Sequence, residues 1–231
     1  MPWLKVSSAV SKNRIPRVVS IWQAQLGGPG RVLPANRTNR LEINRGRRVF
    51  EEVGCESCHK SRMDLDSRLF VEPNPFNPEG TCSDLTTCPE YSYDMTRQGE
   101  GPFPERGPHG TSIVRAFTDL KRHNLCDDPG PDAIRHFCNE TLAQGRPDQD
   151  GKPGTEFFLT RKLWDVGNSA PYGHRGDLST ITEAILAHGG EGRASRDAFE
   201  ASPPADRAAL VKFLKSLQAV PERNPRVIVQ N

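Results

Sequence analysis

Three residues within a five-residue stretch carry the most specific chemistry in this chain. Cys55 and Cys58 are separated by two residues, and His59 follows directly. In a Cys-x-x-Cys-His sequence, the two thiols add to the vinyl groups of a haem and the imidazole becomes its proximal iron ligand. A zinc site would need further ligands at a matching spacing, which Cys82 and Cys88 supply poorly, and a thioredoxin-like pair would need a βαβ context. The sequence therefore predicts one covalently bound haem c.

A second axial ligand would decide what such a haem can do, and neutral imidazole and thioether sulfur are the usual choices. The candidates are His109, His123, His136, His174, His188, Met63 and Met95. His188 lies seven residues after Ile181 and four after Ala184, on the apolar face of a predicted helix. A buried imidazole is costly unless its nitrogens are satisfied, which iron or a backbone carbonyl would do. We expect His59 and His188 to be the iron ligands, with His174 as the runner-up.

Helices are expected to position these ligands. The first is predicted from about Asn39 to Val53, with Asn39 as its cap, Glu42 completing a capping box and Gly54 ending it before the haem motif. Short helices are predicted over Ser112–His123 and Asp132–Leu142.

Two later helices have clear end signals. Thr180 and Glu183 form a capping box, and a Gly-Gly pair at 189–190 ends the helix that they open. Ser202 is expected to cap the last helix. Its apolar stripe consists of Leu210, Phe213, Leu214 and Leu217.

The composition indicates a small core and long loops. Only 35% of the 231 residues are apolar, and Gly and Pro number 20 each. The formal net charge of +2 gives no reason to expect nucleic acid as a partner. No stretch has the roughly 20 apolar residues of a membrane span. Residues 60–110 are predicted to be a long irregular loop.

Four cysteines remain outside the haem motif. Cys82, Cys88, Cys126 and Cys138 allow three pairings, of which Cys82–Cys88 and Cys126–Cys138 are local, and four free thiols are the alternative. Disulfides and covalent haem both indicate a periplasmic or otherwise extracytoplasmic location. Since no secretory signal is visible, we expect the chain to be the C-terminal part of a larger exported protein, or its start to be misplaced.

The remaining segments are predicted as follows. Residues 1–40 contain no acidic residue and are interpreted as an extended basic arm and interdomain remnant, with a transit peptide as the alternative. Residues 41–220 form the haem domain and residues 221–231 a tail. Asp148, Asp150 and Glu156 have the look of a calcium loop, although a solvated turn is the simpler interpretation.

From about Leu41 to Leu217, the chain resembles the C-terminal haem domain of bacterial di-haem cytochrome c peroxidases. It is most similar to their branch of di-haem oxidoreductases, also called thiol oxidoreductases. Three blocks carry the resemblance: the haem motif after its helix, the segments 117–123 and 156–164, and Tyr172-Gly173-His174 leading to residues 183–191. In the peroxidases a haem ligand lies fourteen residues after the His of a Tyr-x-His-x-Gly motif, which here is His188.

This resemblance implies an all-α, cytochrome c-like fold around the covalent haem, with the first and last helices crossing at Gly46. It also implies that Trp164, Tyr172 and His174 belong to the haem pocket. The chain departs from the family at Arg175, where the family has Asp, and in having one haem motif instead of two. The missing motif belongs to the domain that houses the peroxidatic haem.

Three functions are compatible with these features. A His59/His188 iron has no open position, so we expect a mono-haem electron-transfer module that works with a redox partner protein or an upstream haem domain. The alternative is a peroxidase or oxidoreductase acting on hydrogen peroxide through a labile sixth ligand, and a redox or gas sensor would need the same lability. The sequence does not decide whether the chain is an enzyme.

Overall fold

The structure, a computed structural model, describes residues 15–28, 30–72, 90–99, 101–138, 156–218 and 227–228. The chain divides into two compact units, one formed by Met1–Gly28 and Asp64–Val114 and the other by Pro29–Met63 and Arg115–Asn231. Among the described residues, no helix is long and apolar enough to cross a membrane.

The described residues contain both helices and strands. The helices are α1 (Ile15–Ala24), α2 (Arg37–Glu52), α3 (Ile181–Leu186), α4 (Arg193–Ala201) and α5 (Pro204–Ser216). The strands are β1 (Gly30–Val32), β2 (Met63–Leu65), β3 (Leu69–Glu72), β4 (Tyr91–Asp94), β5 (Glu105–Arg106), β6 (Ser112–Val114), β7 (Arg122–Asn124), β8 (Phe157–Leu159), β9 (Leu217–Gln218) and β10 (Val227–Ile228).

The predicted all-α fold is therefore wrong: the protein is mixed α/β. Strands β3 and β4 pair antiparallel, as do β7 with β8 and β5 with β6, while β1 lies between β10 and β9. Each strand has at most four residues, too few for the period-2 pattern to show in a sequence rich in Pro and Gly. Cross-strand pairs of aromatic residues, such as Phe70 opposite Tyr93, favour such strands only once the chain has folded.

Two predicted short helices are also not formed. Residues 112–114 and 122–124 are strands β6 and β7, and Phe117 and Leu120 between them have φ values of +52° and +56°. A right-handed helix cannot pass through positive φ angles, so the predicted helix over Ser112–His123 is wrong. Residues 132 and 136–138 form turns and residues 133–135 are irregular, and the rest of the second predicted helix lies outside the described residues.

The larger unit is built on the packing of α2 against α5. A Cβ placed on Gly46 would overlap the backbone carbonyl of Ala209, so only glycine permits this approach, as predicted. The stripe of α5 is buried in the core, with exposures of 0% for Leu210 and Phe213. Phe50 and Phe213 make an edge-to-face contact at 5.5 Å between ring centres.

The caps of these helices differ from the predictions. Asn36, not Asn39, caps α2, because its Oδ1 accepts hydrogen bonds from the backbone N–H groups of Thr38 and Asn39 at 2.7 and 3.4 Å. Ser202 ends α4 instead of capping α5, whose N-cap is Pro203. Propensity locates such a helix well but leaves its first residue uncertain by one turn.

The smaller unit contains α1 and strands β3 to β6. Residues 15–24, predicted as part of an extended arm, are helical here. The Gln25 side chain donates a hydrogen bond to the Tyr91 hydroxyl at 2.6 Å. The buried Asp94 carboxylate forms ion pairs with Arg68 and Arg97, with N–O distances of 3.1 and 2.9 Å. The predicted disulfide Cys82–Cys88 lies outside the described residues.

Candidate haem site

The Cys-x-x-Cys-His motif follows α2 through a tight left-handed turn. Gly54 has φ +85°, a conformation that favours glycine, and residues 55–57 then form one turn of 3-10 helix. The His59 N–H donates to the Cys55 carbonyl at 3.0 Å, which folds the motif back on itself. Both thiols are free and half-buried. Burial raises the pKa of Cys55 to about 12, so this sulfur is a protonated thiol at neutral pH.

The imidazole of His59 is fixed by the backbone and is uncharged at neutral pH. Nδ1 lies 3.1 Å from the Phe117 carbonyl, and since a carbonyl can only accept, Nδ1 carries the proton. Burial and the proximity of His188 lower its pKa to about 4, against the smaller opposing effects of the Phe117 and Arg161 carbonyls and Asp119. The lone pair of the neutral ring therefore resides on Nε2.

The imidazole of His188 is fixed by the backbone in the same way as that of His59. It follows α3, whose capping box between Thr180 and Glu183 is confirmed. Nδ1 donates to the Ala184 carbonyl at 2.7 Å, and burial lowers the pKa of the imidazole. A purely structural histidine would also make this bond. The distinguishing observation is the pairing: His59 and His188 are close enough to interact electrostatically, and each has its lone pair on Nε2.

A glycine pair holds His188 against a disulfide-bonded loop. The N–H of Gly189 donates to the Leu125 carbonyl at 3.2 Å, and that of Gly190 donates to the Asp127 carboxylate at 2.6 Å. A Cβ on Gly189 would come within 2.5 Å of the Ile134 carbonyl oxygen and 2.9 Å of that of Leu125. The loop is closed by a disulfide between Cys126 and Cys138, one of the two local pairings expected from the sequence.

The other residues that the resemblance assigns to the pocket are held mainly by backbone contacts. The Tyr172 hydroxyl donates to the Val166 carbonyl at 2.7 Å, and the Trp164 indole N–H donates to the Arg115 carbonyl at 3.0 Å. His174 is exposed, with its ring 5.9 Å from that of Phe158. Their roles at a haem stay predictions.

A network at the haem motif was missed by sequence reasoning. The imidazole of His123 lies between two carboxylates, at 2.8 Å from Asp119 and 2.7 Å from Glu191. Hydrogen bonds with Glu191 and Asp119 raise the pKa of His123. Potential ligand atoms of Cys58, Asp119 and His123 lie within 4.8 Å of one another. The i, i+4 spacing of Asp119 and His123 was visible in the sequence, but Glu191 is 68 residues from His123.

The predicted calcium loop is not described by the structure. Asp148 and Asp150 lie outside the described residues, and the backbone carbonyl of Glu156 accepts a hydrogen bond from the Leu125 N–H at 3.0 Å. The calcium prediction therefore stays open.

The residues of this site fit a covalent haem. The thiols of Cys55 and Cys58 are separated by two residues. The neutral imidazoles of His59 and His188 are close to each other, and each forms a hydrogen bond through Nδ1, which leaves Nε2 unprotonated. Such second-sphere bonds to Nδ1 are what orients imidazole ligands at metal centres.

Comparison with known proteins agrees with this assignment in part. Residues 105–217 match the family described as "Di-haem oxidoreductase, putative peroxidase", so the resemblance seen in the sequence is confirmed for this segment. The match includes Asp119, His123 and His188 but begins after the Cys-x-x-Cys-His motif, so haem attachment rests on the motif itself. No curated protein matches the chain.

Proposed function

Proceeding from a di-haem oxidoreductase segment at residues 105–217, we propose that this chain is a mono-haem c-type cytochrome module that transfers electrons. Cys55 and Cys58 would attach the haem, and His59 and His188 would hold its iron. One observation carries the proposal. Both imidazoles donate Nδ1–H to a backbone carbonyl and leave Nε2 unprotonated, and the two rings are close enough to interact electrostatically.

The bound haem supplies one-electron chemistry, since its iron alternates between the ferric and ferrous states. The protein's own residues keep both imidazoles in the form that can bind iron. The pKa of His59 is about 4 and that of His188 is also lowered, so both free rings are neutral near neutral pH and Nε2 is available to a metal. The hydrogen bonds that His59 donates to the Phe117 carbonyl and His188 donates to the Ala184 carbonyl fix the orientation of both rings, which would favour the same ligation in both redox states.

Peroxidase chemistry is the second candidate, and the family description favours it. It requires a free position at the iron, so His188 would have to move away. The hydrogen bonds from the Gly189 N–H to the Leu125 carbonyl and from the Gly190 N–H to the Asp127 carboxylate oppose such a movement, because the Cys126–Cys138 disulfide restrains this loop. Electron transfer therefore agrees better with the geometry.

Location and partner follow from the same chemistry. The Cys126–Cys138 disulfide supports an oxidising, extracytoplasmic compartment, where c-type haem is also attached. A module that only relays electrons needs a donor and an acceptor, for which a redox partner protein or a further haem domain is suited.

The experiment has two readouts on protein produced with a haem-attachment system. Intact-mass measurement under denaturing conditions should show one haem on the wild type and none on the variant Cys55→Ala/Cys58→Ala. Ferrous protein should then keep its visible spectrum under carbon monoxide and should not turn over peroxide. A carbon monoxide complex together with peroxide turnover would replace electron transfer by the peroxidase alternative.

A further inference from the structure

A buried arginine in the larger unit lacks a partner for part of its guanidinium group. Arg31 lies on β1, between β10 and β9, with 8% of its surface exposed. Its Nε is buried and makes no hydrogen bond within the part of the chain that the structure describes. An unsatisfied buried donor costs about 1–3 kcal/mol, and more when the group is charged, so its presence calls for an explanation.

The surroundings of Arg31 increase this cost. Burial, followed by the positive charges of Arg47 and Arg115, lowers the pKa of the guanidinium to about 10. The exposed Glu51 pairs with Arg47 at 3.3 Å, on the surface of α2. The unmet donor among the described residues of this cluster is therefore the Nε of Arg31, and the positive charges of Arg47 and Arg115 add to the cost of burying it.

We propose that Arg31, with Arg47 and Arg115, forms a binding site for a carboxylate or phosphate group. The planar guanidinium offers two parallel N–H donors that match the two oxygens of such an anion. The anion has two conceivable sources: a propionate of the bound haem, which rests on the proposed function, or a free anion from solution, which does not.

Its position in the chain connects this cluster with the haem site. Arg115 is two residues before Phe117, whose carbonyl holds His59. Arg47 lies on α2, the helix that ends three residues before Cys55.

The test compares the full-length haem-loaded wild type with Arg31→Gln, and uses Arg48→Gln as the control. Arg48 is an exposed arginine on the same helix as Arg47. Titration calorimetry with inorganic phosphate and the midpoint potential of the haem are measured for each. For a free-anion site, phosphate binds the wild type and at least tenfold more weakly Arg31→Gln, while Arg48→Gln behaves as wild type.

For a propionate site, phosphate does not bind, and Arg31→Gln lowers the potential because a positive charge that favours the reduced haem is lost. A tenfold change in the reduction equilibrium equals about 59 mV. Arg31→Lys, which keeps the charge, should recover most of that shift. Equal phosphate binding and equal potentials in wild type and Arg31→Gln would overturn the proposal.

Two further controls keep the outcomes distinct. If Arg31→Gln does not fold, Arg47→Gln takes its place, with the same expected results and the same overturning outcome. If the wild type carries no covalent haem, the proposed function fails on the mass measurement. The phosphate titration then still decides the anion site by itself, because it needs only the folded chain.

Discussion

Gly189→Ala is expected to weaken the contacts that hold His188 in position. The added methyl group would come within 2.5 Å of the Ile134 carbonyl oxygen and 2.9 Å of the Leu125 carbonyl oxygen. Both are backbone atoms beside the Cys126–Cys138 disulfide, so they cannot move aside cheaply. Overpacking of this kind costs about 1–3 kcal/mol, and at about 2–4 °C per kcal/mol the melting temperature should fall by roughly 2–12 °C.

Gly130→Ala is the matched control, because it lies on the same loop and no atom is within 4 Å of its added Cβ. Thermal unfolding followed by circular dichroism should separate the two variants. In the haem-loaded protein, only Gly189→Ala should gain partial carbon monoxide binding, since displacement of residue 189 displaces the adjacent His188. Equal melting temperatures and equal carbon monoxide spectra in the two variants would refute the packing argument.

Three further predictions concern the frame of the site. Gly46→Ala should lower the free energy of unfolding by about 1–3 kcal/mol in denaturant titrations, because its Cβ overlaps the Ala209 carbonyl, and a neutral or stabilising result would contradict the close packing of α2 on α5. Replacing Cys126 and Cys138 by Ser should cost about 2–4 kcal/mol in the same assay, since the disulfide closes a loop with a sequence separation of 12; an unchanged midpoint would contradict this. Asp119 should contribute about 2 kcal/mol to the free energy of unfolding above pH 4. Burial opposes its charge, but hydrogen bonds from the Lys121 N–H and from His123 lower its pKa from 3.8 to about 2. This contribution is therefore lost as the pH falls from 4 to 2. Asp119→Asn should remove that part of the acid dependence, and an identical acid profile would disprove it.

The sequence predicted the helical frame of the site because helices have strong local signals. The capping box of Thr180 and Glu183, the buried stripe of α5 and the close approach at Gly46 all depend on residues that are a few positions apart or on a single residue type. These signals placed both proposed iron ligands at the ends of helices that the structure contains.

The strands and the polar network could not be predicted in the same way. Strands β7 and β8 pair residues 122–124 with residues 157–159, a separation over which a single sequence gives no register. The contact of His123 with Glu191 likewise spans 68 residues. The expected helix over Ser112–His123 failed because the positive φ angles of Phe117 and Leu120 are imposed by tertiary structure, not by the preferences of these residues.

Low-temperature electron paramagnetic resonance of the ferric protein tests the proposed ligation most directly. Two imidazole ligands produce a low-spin iron, so the wild type should show a low-spin spectrum only. His188→Ala should leave a water-bound or vacant position and give a high-spin signal, whereas His174→Ala should remain low-spin. A high-spin wild type, or an unchanged spectrum in His188→Ala, would contradict the assignment of His59 and His188 as the two ligands.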